Sequence, residues 1–185
     1  LSVVKDIVGG NDIDLLSDGA VIYFGADKDV QAFHVHNSGL TLRNNSTGDD
    51  TPFLLTLQTG ETDIAASDVL GKIQFQAPDE GTGTDAILLA AVMMAVSEGD
   101  FSSSNNATSL KFFTGNSAQA GTDGGSLILG STGNLTLKDL RTADGSSPTL
   151  TLQSGDTNME ANDILGKIAF QAPDEGTGTD AILVA

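Results

Sequence analysis

One stretch of this chain is written twice. Residues 55–90 read LTLQTGETDIAASDVLGKIQFQAPDEGTGTDAILLA and residues 150–185 read LTLQSGDTNMEANDILGKIAFQAPDEGTGTDAILVA, at a constant offset of 95, with 27 of the 36 positions identical. Most replacements are mild, as in Glu61 and Asp156, Val69 and Ile164, or Leu89 and Val184, so the pattern of apolar and polar positions is kept. A chain that repeats its modules is usually building length or surface. The same breakers stand at equivalent points, Gly71 with Gly166 and Pro78 with Pro173, which predicts one backbone for both copies.

The offset extends upstream, where Leu40-Thr41-Leu42-Arg43 aligns with Leu135-Thr136-Leu137-Lys138. The first copy runs on past Ala90, whereas the second stops at Ala185 inside an apolar run that its twin continues, so the sequence is expected to be a piece of something longer. This divides the chain into an N-terminal β segment with acidic turns (1–38), a first repeat unit (39–133) and a second, truncated unit (134–185).

Eight Lys and Arg face 25 Asp and Glu, a formal net charge of −17, which disfavours nucleic acid and anionic membrane surfaces as partners. Hydrophobic residues at 39% are too many for a disordered acidic tail. The longest apolar run, 86–96, is shorter than the about 20 residues that span a bilayer. With no cysteine there is neither disulfide nor thiolate chemistry, and stability has to come from packing. Gly at 22 of 185, with no Trp, fits many turns and slender strands better than one thick core.

Period-two alternation dominates. Ile73, Phe75 and Ala77 share one strand face and Lys72, Gln74 and Gln76 the other, and the same pattern runs through Leu40/Leu42, Leu55/Leu57, Leu135/Leu137 and Leu150/Leu152. Turn-forming stretches such as 44–50, 121–125 and 143–148 separate these half-buried strands. The prediction is an all-β chain with little helix. Residues 86–96 are ambiguous: Ala and Met favour a helix of about three turns, while the preceding Gly-Thr-Gly-Thr turn and the following Ser-Glu-Gly-Asp put a doubly buried strand ahead. Strands with two or three inward apolar residues each cannot alone offset the chain's entropy, so their faces need neighbours, from a solenoid or from further copies of the chain. An intertwined β-fibre suits the repetition and the small residues.

The residues DVLGKIQFQAPDE at 68–80 with their copy at 163–175, AVSEGDF at 95–101 and ATSLKFFTG at 107–115 resemble the tail-fibre and related virion fibre proteins of tailed bacteriophages, especially marine phages. The N-terminal phrases 14–20 and 24–27 are similar to these fibres more loosely. The resemblance implies a homotrimeric, rod-like, β-rich shaft, an intertwined β-helix or β-prism, in an extracellular virion appendage. Its partners would be other tail proteins and, through a tip outside this segment, a host cell-surface receptor. Trimer packing is expected at Ile73, Phe75, Ile168 and Phe170, with no enzyme activity, no membrane insertion and no obligatory cofactor. A repeat-built bacterial surface adhesin is the runner-up, and a carbohydrate-cleaving tailspike comes third.

His34 and His36 would share a strand face, and in a trimer three such pairs match an octahedral metal site, as in some phage fibres; ordinary strand residues are the plainer reading. Asp85 and Asp180, in Gly-Thr-Gly-Thr-Asp turns, fit part of a calcium-binding nonapeptide pattern, but tandem copies nine residues apart are missing and a plain acidic turn is the alternative. Asp79, Glu80 and Asp85 could form a glycosidase carboxylate set, yet they recur as Asp174, Glu175 and Asp180, which suits a repeated turn better than one active site.

Overall fold

The computed structural model describes residues 14–77 and 88–170. Every regular element among them is a strand, and none is a helix. The chain divides into two compact units, Leu1–Leu57 and Gln58–Ala185. The first contains β1 (Val21–Phe24), β2 (Val30–Val35) and β3 (Gly39–Asn44) in one antiparallel sheet of order β1-β2-β3. The second contains β4 (Val69–Gln76), β5 (Leu89–Ser97), β6 (Thr108–Thr114), β7 (Gly125–Leu129) and β8 (Leu135–Asp139), an antiparallel meander of order β4-β5-β6-β7-β8.

The ambiguous apolar stretch is the central strand β5, Leu89–Ser97, paired on both edges with β4 and β6. Helix propensity of its Ala and Met residues amounts to tenths of a kcal/mol, and two ladders of backbone hydrogen bonds outweigh it. The strand is apolar on both faces, but the expected double burial is not met within the chain: Val92 and Val96 are buried on one face, while Leu89, Ala91, Met93 and Ala95 on the other are half-buried.

The repeat reaches one strand further upstream than the residues reveal. The β2–β3 hairpin pairs Val30 with Asn44, Ala32 with Leu42 and His34 with Leu40. At the same offset of 95, the β7–β8 hairpin pairs Gly125 with Asp139, Leu127 with Leu137 and Leu129 with Leu135. The turn bonds coincide too: Ser38 N–H donates to Val35 O at 2.9 Å, and Gly133 N–H to Gly130 O at 3.0 Å. The strand before each hairpin completes a three-stranded meander, with Ile22 opposite Ala32 in one and Phe112 opposite Leu127 in the other. The boundaries drawn at 38/39 and 133/134 thus fall in equivalent hairpin turns.

The second copy of the duplicated stretch does not reproduce the whole backbone of the first. Val69–Gln76 is strand β4, but its twin, 164–170, forms no strand. Leu55/Leu57 and Leu150/Leu152 alternate as expected and still lie outside any strand. Alternation makes a segment competent for a sheet, and a ladder also needs a neighbouring backbone. The part of the repeat that folds on local bonds is copied faithfully. Ser67 and Asn162 both take positive φ, 79° and 81°. The Asp68 carboxylate accepts the Ala65 N–H at 2.6 Å, and the Asp163 carboxylate accepts the Glu160 N–H at 2.5 Å.

Candidate functional site

The face the sheets leave bare is the feature on which function can be built. Register and strand pleat place Ile73, Met93, Phe112, Leu127 and Leu137 side by side across all five strands of the larger sheet. Of these only Met93 is half-buried; Ile73, Phe112, Leu127 and Leu137 are exposed, the last by 45%. A parallel row, through Ala95, Leu110, Leu129 and Leu135, lies on the same face and carries no charge either. The lysines of these strands, Lys72, Lys111 and Lys138, alternate to the opposite face.

That opposite face is the covered one. Val92 and Val96 point there and are the only buried hydrophobic residues among those described. The β6–β7 loop folds back toward β5, where Ala120 N–H donates to Leu89 O at 2.7 Å and Gly115 N–H to Ala90 O at 2.8 Å. Asp123 holds the loop in shape: its carboxylate accepts the N–H groups of Asn116, Ser117 and Ala118 at 2.9 to 3.1 Å and the Ser117 hydroxyl at 2.8 Å. Led by the Ser117 backbone N–H, these bonds lower the Asp123 pKa to about 2. Gly124 is required here, because a Cβ would collide with the Thr114 carbonyl. At the far end of β5, Ser97 N–H donates to Asp68 O at 2.9 Å and Ser67 N–H to Ser97 O at 3.0 Å, tying the turn before β4 to the sheet.

The smaller sheet repeats this two-sidedness. Ile22, Ala32 and Leu42 form its counterpart of the Phe112, Leu127 and Leu137 row, with Ile22 and Leu42 exposed. On its other face Lys28 Nζ lies 5.0 Å from the Tyr23 ring centre and the Arg43 guanidinium 5.7 Å from that of Phe33, so cations cover those aromatic rings. Gln31 and Ser126, equivalent at the offset of 95, are both buried polar residues on the covered faces.

Ile73 and Phe75 stand together on the bare face of β4, both exposed within their own chain. Ile168 and Phe170 are also exposed, on a segment without a strand. His34 lies on β2 where the other meander has Leu129, on the bare side opposite Leu40. His36 falls beyond the end of that strand, in the turn. The two rings are 6.3 Å apart, His34 Nδ1 lies 3.2 Å from the Asp18 backbone oxygen and His36 Nδ1 lies 3.2 Å from Asp18 Oδ1. Among the described residues no group of three or more His, Cys, Asp or Glu is placed to hold a metal ion. Asp79, Glu80, Asp85, Asp174, Glu175 and Asp180 lie outside the described residues.

A shallow cleft of about 360 Å³ is lined by Thr114, Gly125, Leu137, Asp139, Arg141 and Pro148 among others. Its carboxylate is already engaged, since Asp139 receives Arg141 Nη2 at 2.6 Å and Nε at 3.0 Å, and these bonds lower the Asp139 pKa. The residues that sequence reasoning missed are Met93, Phe112, Leu127 and Leu129 on the bare face. Their signal was present in the alternation of LKFF and SLIL, but only strand order shows that they join one row. No family model, no curated protein and no solved structure matches this chain.

Proposed function

We propose that this chain is a structural segment of an elongated, homotrimeric β-fibre, serving as shaft in a virion tail appendage that helps a phage attach to its bacterial host. The observation that carries the structural part is the repeated meander, copied at one register, that leaves the same apolar row bare each time. Among the described residues Val92 and Val96 are the only buried hydrophobics, too few to offset the entropy of ordering those residues, which supports an external cover. The virion assignment is supported by the resemblance of the 68–80, 95–101 and 107–115 phrases to phage fibres.

Sedimentation of the purified chain at micromolar concentration tests the assembly. A species of three 18.9-kDa chains with a high frictional ratio is expected, and a compact monomer overturns the fibre reading. Antibodies raised against the chain should decorate the tail appendages of intact particles in electron micrographs; decoration of a bacterial cell surface instead would establish the adhesin.

A further inference from the structure

The charge distribution of the larger sheet assigns an occupant to its bare face. We infer that a second copy of this chain covers the row of Ile73, Met93, Phe112, Leu127 and Leu137, leaving the opposite face, with its lysines and the β6–β7 loop, outside the contact. The inference rests on the fibre reading and adds where its chains touch.

Two observations select a second copy over an unlike partner. The chain carries 25 acidic residues against eight basic ones, so two copies repel wherever their charged turns approach, whereas the two apolar rows of this face carry no charge and the charged strand residue beside them, Asp139 at the end of β8, is already paired with Arg141. A basic partner would instead be drawn to the acidic turns. Next, the row recurs at the same register in the smaller sheet, as Ile22, Ala32 and Leu42. In a homotypic assembly one rule then serves both sheets, each row packing on the same row of another copy, whereas an unlike partner would itself need two matching surfaces.

The natural absence of cysteine makes the test direct. Leu137 and Lys138 are neighbours on β8, point to opposite faces and are both exposed in the single chain. Leu137→Cys and Lys138→Cys variants are prepared as full chains, their mass is measured by sedimentation, and their alkylation rates are compared with and without dissociating denaturant. In the assembled protein the Leu137→Cys thiol should react slower by about tenfold or more while the Lys138→Cys thiol reacts at the free rate, the protection disappearing on dissociation. Equal rates at the two positions in a sample that sediments as an oligomer overturn this inference and leave the fibre reading standing. A monomeric wild-type chain overturns the fibre reading itself, and protection of Leu137→Cys in a monomer overturns the assignment to a second copy.

Discussion

Val69–Gln76 and 164–170 present the same residues in two different states. VLGKIQF is the core of β4, and ILGKIAF, which differs by a conservative Ile164 for Val69 and by Ala169 in place of the polar-face Gln74, forms no strand. The difference lies in what stands opposite. Every residue from Gly71 to Phe75 pairs with β5, between Ala91 and Ala95. The residues that follow 164–170 in the second copy, 171–185, lie outside the described residues. The turns just before, at 65–68 and 160–163, close on bonds three residues apart and are identical in both copies. Turn structure in this chain is a local property, and strand structure is a property of pairs of segments.

The largest effect should come from removing the partner of the first copy. Val92→Pro takes a donor from the centre of β5 and clashes with a paired strand, at a cost of about 3 kcal/mol or more. Amide exchange at 71–76 should then rise to the rate of 166–170. Conversely, fusing a copy of residues 91–140 after Ala185 should slow exchange at 166–170 to the rate of β4. If Val92→Pro leaves protection at 71–76 intact, β4 is stabilised by something other than β5 and the comparison fails.

A smaller effect separates the two copies at one apolar pair. Val69 faces the buried Val96, whereas the twin of Val69, Ile164, is 72% exposed. Val96→Ala should lower stability by about 1 to 3 kcal/mol, through lost burial and a residual cavity. Ile164→Ala should stay within about 0.5 kcal/mol. Urea midpoints of the two variants check this, and equal losses would mean that Ile164 is packed against a partner, which the single chain does not show.

The turns offer a finer test. Asp68→Ala and Asp163→Ala each remove a carboxylate that accepts a backbone N–H at the start of its turn. Among the described residues only the first turn is bonded to a sheet, through Ser67, Asp68 and Ser97. The first substitution should therefore cost about 1 kcal/mol of global stability and the second should loosen only its own turn. Proton exchange at Ala65 and Glu160, read beside the global midpoint, distinguishes the two outcomes.

The same physics decides how much the residues disclosed. Strands β3, β4 and β8 were legible because Leu-Thr-Leu and Lys-Ile-Gln-Phe-Gln alternate cleanly, and β5 because neither of its faces is polar. The kinship of β2 with β7 was not legible. Val30-Gln31-Ala32-Phe33 and Gly125-Ser126-Leu127-Ile128 share no identity, and a ladder conserves register and face instead of side-chain identity. The pairing of Phe112 with both Met93 and Leu127, which builds the bare row, depends on strand order, which alternation does not encode. Leu55/Leu57 and Leu150/Leu152 show the converse, a strand pattern with no ladder beside it.

The smallest effect compares the two meanders at the one place where their lengths differ. The β1–β2 loop spans 25–29 and the β6–β7 loop spans 115–124, five residues longer, with Asp123 organising the extra chain. Because folding lowers the Asp123 pKa from 3.8 to about 2, its contribution is present in full above the unfolded value and is lost as pH falls through the folded one. Between roughly pH 4 and pH 2 the amides of Asn116, Ser117 and Ala118 should lose protection, with no matching step in the β2–β3 hairpin attributable to this group. Asp123→Asn should lose that protection at neutral pH and flatten the step, since a neutral amide oxygen accepts these N–H groups more weakly. A step of unchanged size in the Asp123→Asn chain would assign the acid sensitivity to another carboxylate and leave the longer loop without its organising residue.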